Sequence, residues 1–375
     1  MKKTRMPSRF ATFTSLFYFF YFWATAVFVI FVPKTLLDLG YTTAQIGILL
    51  SVMPLIRFIT PFLFSSKLKL TKQTFHLSLI FSTLLFAGFI FTYHSFWLLF
   101  LNTLLYGLFI TVTLPYVDSV ALKEVQKEKY GLIRLFGSIG FMGAAIVLGK
   151  MDLDKETVFL HYLVSVALMS VFGVLLASKE KTENENSKTT KENEGDLKKY
   201  IADAPFWLAM ILAQLSFGAF YGFFTVFEHE HGISLENITY LWSIGVLAEI
   251  FMFALQGKLL KNIRPLFIIK LTIVSLVARW LLLHFFEGNF FAVALAQVTH
   301  ALNFALFTTA AFLFVYNRYE DKKRAQMHFY GFSYGLGGFF GSLISGALYG
   351  QNIFLYSAIF AAAALLFMIF YRSNE

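Results

Sequence analysis

Residues 236–258 read ENITYLWSIGVLAEIFMFALQGK, a mostly apolar run that starts on Glu236 and carries a second acid, Glu249, near its middle. A helix that crosses a bilayer needs about 20 mostly apolar residues, and this run supplies them. A strand of a membrane barrel would stop after about ten residues and alternate in polarity, and this run does neither. Two further apolar runs follow. One holds Arg279 in LVARWLLL (276–283) and the other holds His300 in QVTHALNF (297–304). A charge at bilayer depth costs about 2.5–3.5 kcal/mol or more, so it is kept only where it has partners, water or a job. One acid, one base and one titratable imidazole on three successive spans indicate a polar pocket inside a helix bundle, as a solute transporter requires.

The rest of the chain has the same character. Of its 375 residues, 58% are hydrophobic and 48 are phenylalanine, while only 14% are charged, against about 25% in soluble domains. The class is a polytopic membrane protein. With no cysteine, disulfides and thiolate metal sites are excluded. No zinc motif, catalytic triad or nucleotide fingerprint occurs, so neither an enzyme nor a metal or organic cofactor is expected. GAAIVLGK (143–150) has the wrong spacing for a phosphate loop and no Ser or Thr after its lysine. The net charge of +9 does not point to nucleic acid, because the basic residues lie in short loops between spans. The basic start, Met1 to Arg9, precedes a run too long for a signal-peptide core, and we expect it to be a retained first span.

Twelve segments are long and apolar enough to span, over 10–32, 43–65, 75–93, 95–117, 132–150, 157–177, 205–228, 236–258, 266–285, 290–316, 328–349 and 352–371. One set of loops holds Lys2, Lys3, Arg5, Arg9, Lys67, Lys69, Lys72, Lys123, Lys127, Lys129, Lys258, Lys261, Arg264, Arg318, Lys322, Lys323 and Arg324. The opposite set holds only Lys34, Lys150 and Lys155. Positive residues stay inside, so both termini are expected in the cytoplasm, which agrees with an even number of spans. SKEKTENENSKTTKENEGDLKKY (178–200) cannot bury a core and reads as a flexible cytoplasmic linker. The domains expected are a six-helix bundle over 1–177, a linker over 178–204 and a second six-helix bundle over 205–375.

The two halves look related. Gly40, Ile46, Leu49, Ser51 and Arg57 match Gly232, Ile238, Leu241, Ser243 and Glu249 at a constant offset of 192 positions. Tyr130-Gly131 and Tyr330-Gly331 open the fifth and eleventh spans, with Gly137 and Gly337 six residues on. Parallel repeats with a solute site at their interface are the architecture of many secondary transporters.

Polar residues within the spans are the candidate site. Glu249, Arg279 and His300 lie far from both surfaces, where an acid and an arginine would neutralise each other and the imidazole would respond to pH. The structural alternative is an architectural ion pair, with His300 bonded to a neighbouring helix. Asp118, in TLPYVDSV at the end of the fourth span, and Arg134, in YGLIRLFGSIGF at the start of the fifth, form a second pair; the alternative is snorkelling to the interface. Arg57 lies mid-span between Pro54 and Pro61, where a bend beside a cavity is expected. Asn102, Gln214, Gln297 and Asn303 can bond a solute or, more ordinarily, a neighbouring helix. Tyr18, Tyr21, Trp23, Tyr221 and Trp242 are candidate aromatic walls. The glycines of the eleventh span, from Gly331 to Gly346, are spaced for close helix packing.

Across these stretches, YGLIRLFGSIGF (130–141), YLWSIGVLAEIFMFAL (240–255), ARWLLL (278–283), FGAFYGFFTVFEHEHGIS (217–234) and QVTHALNF (297–304), the chain resembles the phenylpropionate permease family. That family belongs to the major facilitator superfamily and is related to lactose permeases and nucleoside–proton symporters. The resemblance implies an all-α membrane protein of twelve transmembrane helices in two pseudo-symmetric bundles, working by alternating access with a proton as coupling ion. It implies solute binding by Asp118, Arg134, Glu249, His300, Asn303 and Arg57, and proton coupling by Glu249, Arg279 and His300. Two departures stand out. The lactose permeases carry a proton-accepting glutamate three residues after the histidine, where this chain has Asn303. The loop SSKLKLTKQ (65–73) keeps the superfamily's lysines and lacks its aspartate. The expectation is a monomer in a bacterial cytoplasmic membrane whose partners are the lipid bilayer and a small-molecule solute, an aromatic acid before a sugar or nucleoside. A passive facilitator and a non-transporting sensor or scaffold are the alternatives of another kind.

Overall fold

The computed structural model describes residues 8–66, 71–124, 127–151, 153–179, 194–261 and 263–371. Among them every regular element is a helix. Eleven helices are long and apolar enough to cross a membrane. They are α1 (Arg9–Asp38), α2 (Thr43–Ser66), α3 (Lys72–Thr92), α4 (Phe96–Glu124), α5 (Lys127–Gly149), α6 (Lys155–Ala177), α7 (Ala204–Glu230), α8 (Leu235–Leu260), α9 (Pro265–Phe285), α10 (Phe290–Arg318) and α12 (Ile353–Phe370). The helical run 322–347 is α11, the twelfth. Its first turn is basic and its middle is glycine-rich, so it adds less apolar surface than its neighbours.

The repeat read from the sequence is visible in backbone geometry. Gly40 and Gly232 both take positive φ, +89° and +93°, which a residue with a Cβ adopts only under strain. Each closes the preceding helix with the same bonds. Gly40 N–H reaches the Leu37 carbonyl at 2.9 Å and Tyr41 N–H the Leu36 carbonyl at 3.1 Å; Gly232 reaches His229 at 3.1 Å and Ile233 reaches Glu228 at 3.0 Å. Each turn then starts the next helix on a hydroxyl cap, Thr42 accepting from Gln45 N–H and Ser234 from Asn237 N–H, both at 3.3 Å. All these positions are 192 residues apart.

Two compact units form: Met1–Tyr41 with Phe62–Glu185, and Thr42–Pro61 with Asn186–Glu375. In the first, α1 packs on α5 and α6, while α3 packs on α4 and α6. Asn102 settles its own reading here. Its amide donates to the Leu85 carbonyl at 3.0 Å and the Thr92 hydroxyl at 3.2 Å, tying α4 to α3. Asp118, expected at the end of its span, lies inside α4, which runs on to Glu124.

In the second unit α9 packs on α10 and α12, α7 on α11 and α12, and α8 on α10. The α2 segment of this unit lies against α11 through paired glycines. A Cβ at Gly47 would come within 2.8 Å of Gly346 Cα and 2.7 Å of the Ser342 carbonyl oxygen.

Three helices contain π turns, at Val27–Phe31, Ala301–Leu306 and Tyr330–Gly337. The first precedes Pro33, whose nitrogen has no hydrogen to close the ordinary ladder. The second begins directly after His300, and such bulges are frequent at functional sites. The linker differs in part from expectation. Residues 194–202 form a helix, and Tyr200 stacks on Tyr319 at 4.3 Å and on Trp207 at 5.5 Å. Linker residues 180–193 and loop residues 67–70 lie outside the described residues.

Candidate functional site

Each unit holds its own polar constellation. In the first, α4 brings Asp118 beside α1 and α5. Tyr18 donates its hydroxyl to Asp118 Oδ1 at 2.5 Å, and Tyr130 donates to the same oxygen at 3.2 Å. Arg134 Nε stands 3.8 Å from that oxygen. The Arg134 guanidinium also lies over the rings of Tyr18 and Phe22, at 4.8 and 4.4 Å. Both charged side chains are about one-third exposed, each at 33%. The Asp118–Arg134 pair read from the sequence therefore exists, as a loose pair whose carboxylate is held chiefly by phenols. Tyr18, read as a wall, is a hydrogen-bond donor. Tyr130 was legible only as part of a Tyr-Gly repeat, since nothing in a sequence marks which tyrosine faces an acid.

The second constellation is drier. Arg279 is 1% exposed. Its Nη1 lies 2.9 Å from His300 Nδ1, and its Nη2 donates to Gln297 Oε1 at 3.1 Å. A guanidinium can only donate, so Nδ1 accepts and the imidazole is neutral, with its hydrogen on Nε2. Among the described residues Arg279 Nε and Gln297 Nε2 are buried without hydrogen-bond partners. Aromatic faces surround the cation, with Phe220 at 4.3 Å, Trp280 at 4.8 Å and Phe217 at 5.8 Å from the guanidinium carbon. His300 stacks on Phe304 at 5.4 Å and 10°.

The other expected residues of this unit take separate positions. Asn303 sits in the π turn after His300. It donates to the Thr272 carbonyl at 3.0 Å, and its own Oδ1 is buried with no hydrogen-bond partner among the described residues. Glu249 is half-buried and lies within electrostatic reach of Tyr221 and Tyr334. Arg57 is exposed and also within reach of Tyr221. Among the described residues the hydrogen bonds of Arg279 go to His300 and Gln297. The reason is register: His300 and Gln297 lie three residues apart, on one face of α10, and that face meets α9 at Arg279. Tyr221 is the shared neighbour of Arg57, Glu249 and Arg279. Trp242 donates to the Thr225 hydroxyl at 3.1 Å and so braces α8 against α7.

The sequence reading did not single out the buried acid Asp203. Asp203, the cap residue of α7, is 1% exposed. It accepts from Arg318 Nε and Nη2 at 2.9 and 3.0 Å, from the Tyr319 hydroxyl at 2.9 Å and from the Tyr371 hydroxyl at 2.6 Å. Burial and this carboxylate push the Tyr319 phenol well above its ordinary range. Asp203 lies among charged linker residues, which is why its burial is invisible in sequence.

Comparison with known proteins adds a frame to this geometry. The family described as MFS_1 like matches residues 12–360. The chain is 27% identical to the "Probable 3-phenylpropionic acid transporter" of Escherichia coli K12 over 71% of its own length and 72% of that protein. It is 24% identical to the maltose permease of Geobacillus stearothermophilus, over 71% of this chain and 69% of that protein. In fold it is similar to the solved structure of the nucleoside transporter NupG, with a TM-score of 0.79 at 16% identity, covering 97% of this chain and 100% of the other.

Proposed function

The chain belongs to the MFS_1 like family and is a multi-pass membrane transporter of the major facilitator superfamily; from that premise we propose that it takes up a small aromatic acid together with a proton, by alternating access, across a bacterial cytoplasmic membrane. The observation that carries the choice of solute is Arg279. It is a buried cation whose hydrogen bonds go to a neutral imidazole and an amide, with Nε–H unpartnered and three aromatic faces around it. A carboxylate on an aromatic skeleton answers both features: the anion completes the hydrogen bonds of the guanidinium, and the ring packs on Phe217, Phe220 and Trp280. The phenylpropionic acid transporter among the relatives favours the same class.

In this reading Arg279 contacts the solute together with Arg57, Glu249, His300 and Asn303 of its own unit, Glu249 also carries the proton, and Arg279 and His300 link proton to solute; Asp118 and Arg134 are the solute contacts proposed for the other unit. A sugar or nucleoside is the second reading. It is favoured by the Tyr18–Asp118–Tyr130 cluster, which suits hydroxyl groups, and by the maltose and nucleoside transporters among the similar proteins. Purified protein in liposomes separates the readings. Phenylpropionate, maltose and a nucleoside are offered as labelled solutes, with and without an inward proton gradient. Gradient-driven accumulation of the aromatic acid, lost in Glu249→Gln while exchange continues, is the expected result. Equilibration without accumulation would identify a passive facilitator, and accumulation of maltose or the nucleoside alone would overturn the choice of solute.

A further inference from the structure

α7 has a buried acid at each end, and the two are treated oppositely. Asp203, at the start, receives four hydrogen bonds including a two-pronged arginine. Glu228, in the last turn, is 0% exposed and receives one, from the Gly288 backbone N–H to Oε2 at 3.1 Å. Its Oε1 is buried with no hydrogen-bond partner among the described residues. Within the same residues no arginine, lysine or histidine pairs with it. Instead the group within electrostatic reach is a second acid, Glu287, between α9 and α10. A carboxylate in that position would be a desolvated charge with one oxygen bare and a like charge nearby, whereas the neutral acid leaves only a single O–H unmet.

The surrounding groups are accounted for. His231, in the turn after α7, has Nδ1 2.7 Å from the Phe227 carbonyl oxygen. A carbonyl only accepts, so Nδ1 carries the hydrogen and Nε2 is the ring nitrogen left for Glu287. Nε2 faces Glu287 Oε1 at 3.6 Å, and both side chains are about one-quarter exposed, at 27% and 25%. The other oxygen of Glu287, Oε2, is buried with no hydrogen-bond partner among the described residues. His229 is engaged with the Ile233 carbonyl at 3.1 Å, and Glu230 accepts from the Tyr349 hydroxyl at 2.5 Å. Gly288 has φ +73°, and a Cβ there would strike the His231 carbonyl oxygen. The glycine is what lets its N–H reach Glu228.

We infer that Glu228 is a proton-binding site: it holds a proton on Oε1, and the half-open His231–Glu287 pair is where that proton exchanges with water. The inference concerns protonation and stands whether or not the chain transports an aromatic acid. The test is infrared spectroscopy of the purified full chain in lipid near neutral pH, comparing H2O with D2O. Wild type is expected to show a deuterium-sensitive C=O band from a protonated carboxyl. Glu228→Gln should remove that contribution, while Asp203→Asn should leave it. An unchanged band in Glu228→Gln would overturn the assignment. So would loss of the wild-type band on adding sodium ions, which would make the orphaned oxygens a cation site instead. Should the Gln variant not fold, Glu228→Asp keeps the acid and alters its setting: a displaced band supports the assignment, and an unmoved one overturns it.

Discussion

Arg279 uses two of the five N–H donors a guanidinium carries on His300 and Gln297, and its flat face on Phe220. An ammonium cannot reproduce that fork-and-face geometry. Arg279→Lys is therefore expected to weaken solute binding at least about tenfold, one or two hydrogen bonds' worth, read by titration of phenylpropionate on purified protein. Wild-type affinity in the lysine variant would reduce Arg279 to a point charge. Asp203 belongs to the same scale, with a structural outcome. Removing its charge leaves Arg318 and two phenols without their common acceptor, so Asp203→Ala should cost about 3 kcal/mol. Thermal unfolding in detergent measures it, and a change within error would show that the network is held by its rings alone. At this scale the sequence was half legible. A charge in a greasy run is visible by inspection, so Glu249, Arg279 and His300 stood out. Which groups meet is set by rotation about each helix axis, and that sent Arg279 to Gln297 and Asp118 to two tyrosines.

At the scale of elements, the turns at Gly40 and Gly232 are the clearest signature of the internal repeat, because positive φ and two carbonyl bonds are shared at a fixed offset. Gly232→Ala should lose about 1 kcal/mol, the price of holding an L-residue in the left-handed region. Gly288 is the comparison for that experiment: its φ is also positive, but a side chain there meets the His231 backbone as well, so Gly288→Ala should lose more. The glycine contact between α2 and α11 is a matter of space. At Gly346 a Cβ would approach the Thr43 carbonyl oxygen at 2.6 Å, so Gly346→Leu is expected to cost about 1–3 kcal/mol by overpacking. Its uptake should fall while Gly257→Leu, with open space around it, stays near wild type. Uptake equal in the two variants would remove any role for that close approach. Apolar run length located the helices because lipid imposes it; the π turns followed from no such rule, since they answer to neighbours as much as to Pro33.

For the whole molecule, the distribution of lysine and arginine predicts which side each loop faces. The absence of native cysteine makes this directly measurable. Single cysteines at Glu236 and Glu320 in intact cells should react oppositely with a membrane-impermeant thiol reagent, the first labelled and the second protected. Labelling of both, or the reverse pattern, would refute the orientation with cytoplasmic termini.

By itself the sequence determined that this is a helical, membrane-spanning chain with a few ionisable groups inside its apolar runs. Those properties depend on run length, loop charge and composition, which are one-dimensional quantities. Only the tertiary structure decided that Arg279 meets an imidazole and an amide, that Asp203 is fully paired, and that Glu228 has a bare oxygen. Hydrogen-bond partners are fixed by distances of about 3 Å between different helices, and no pattern along one helix encodes what stands on the next.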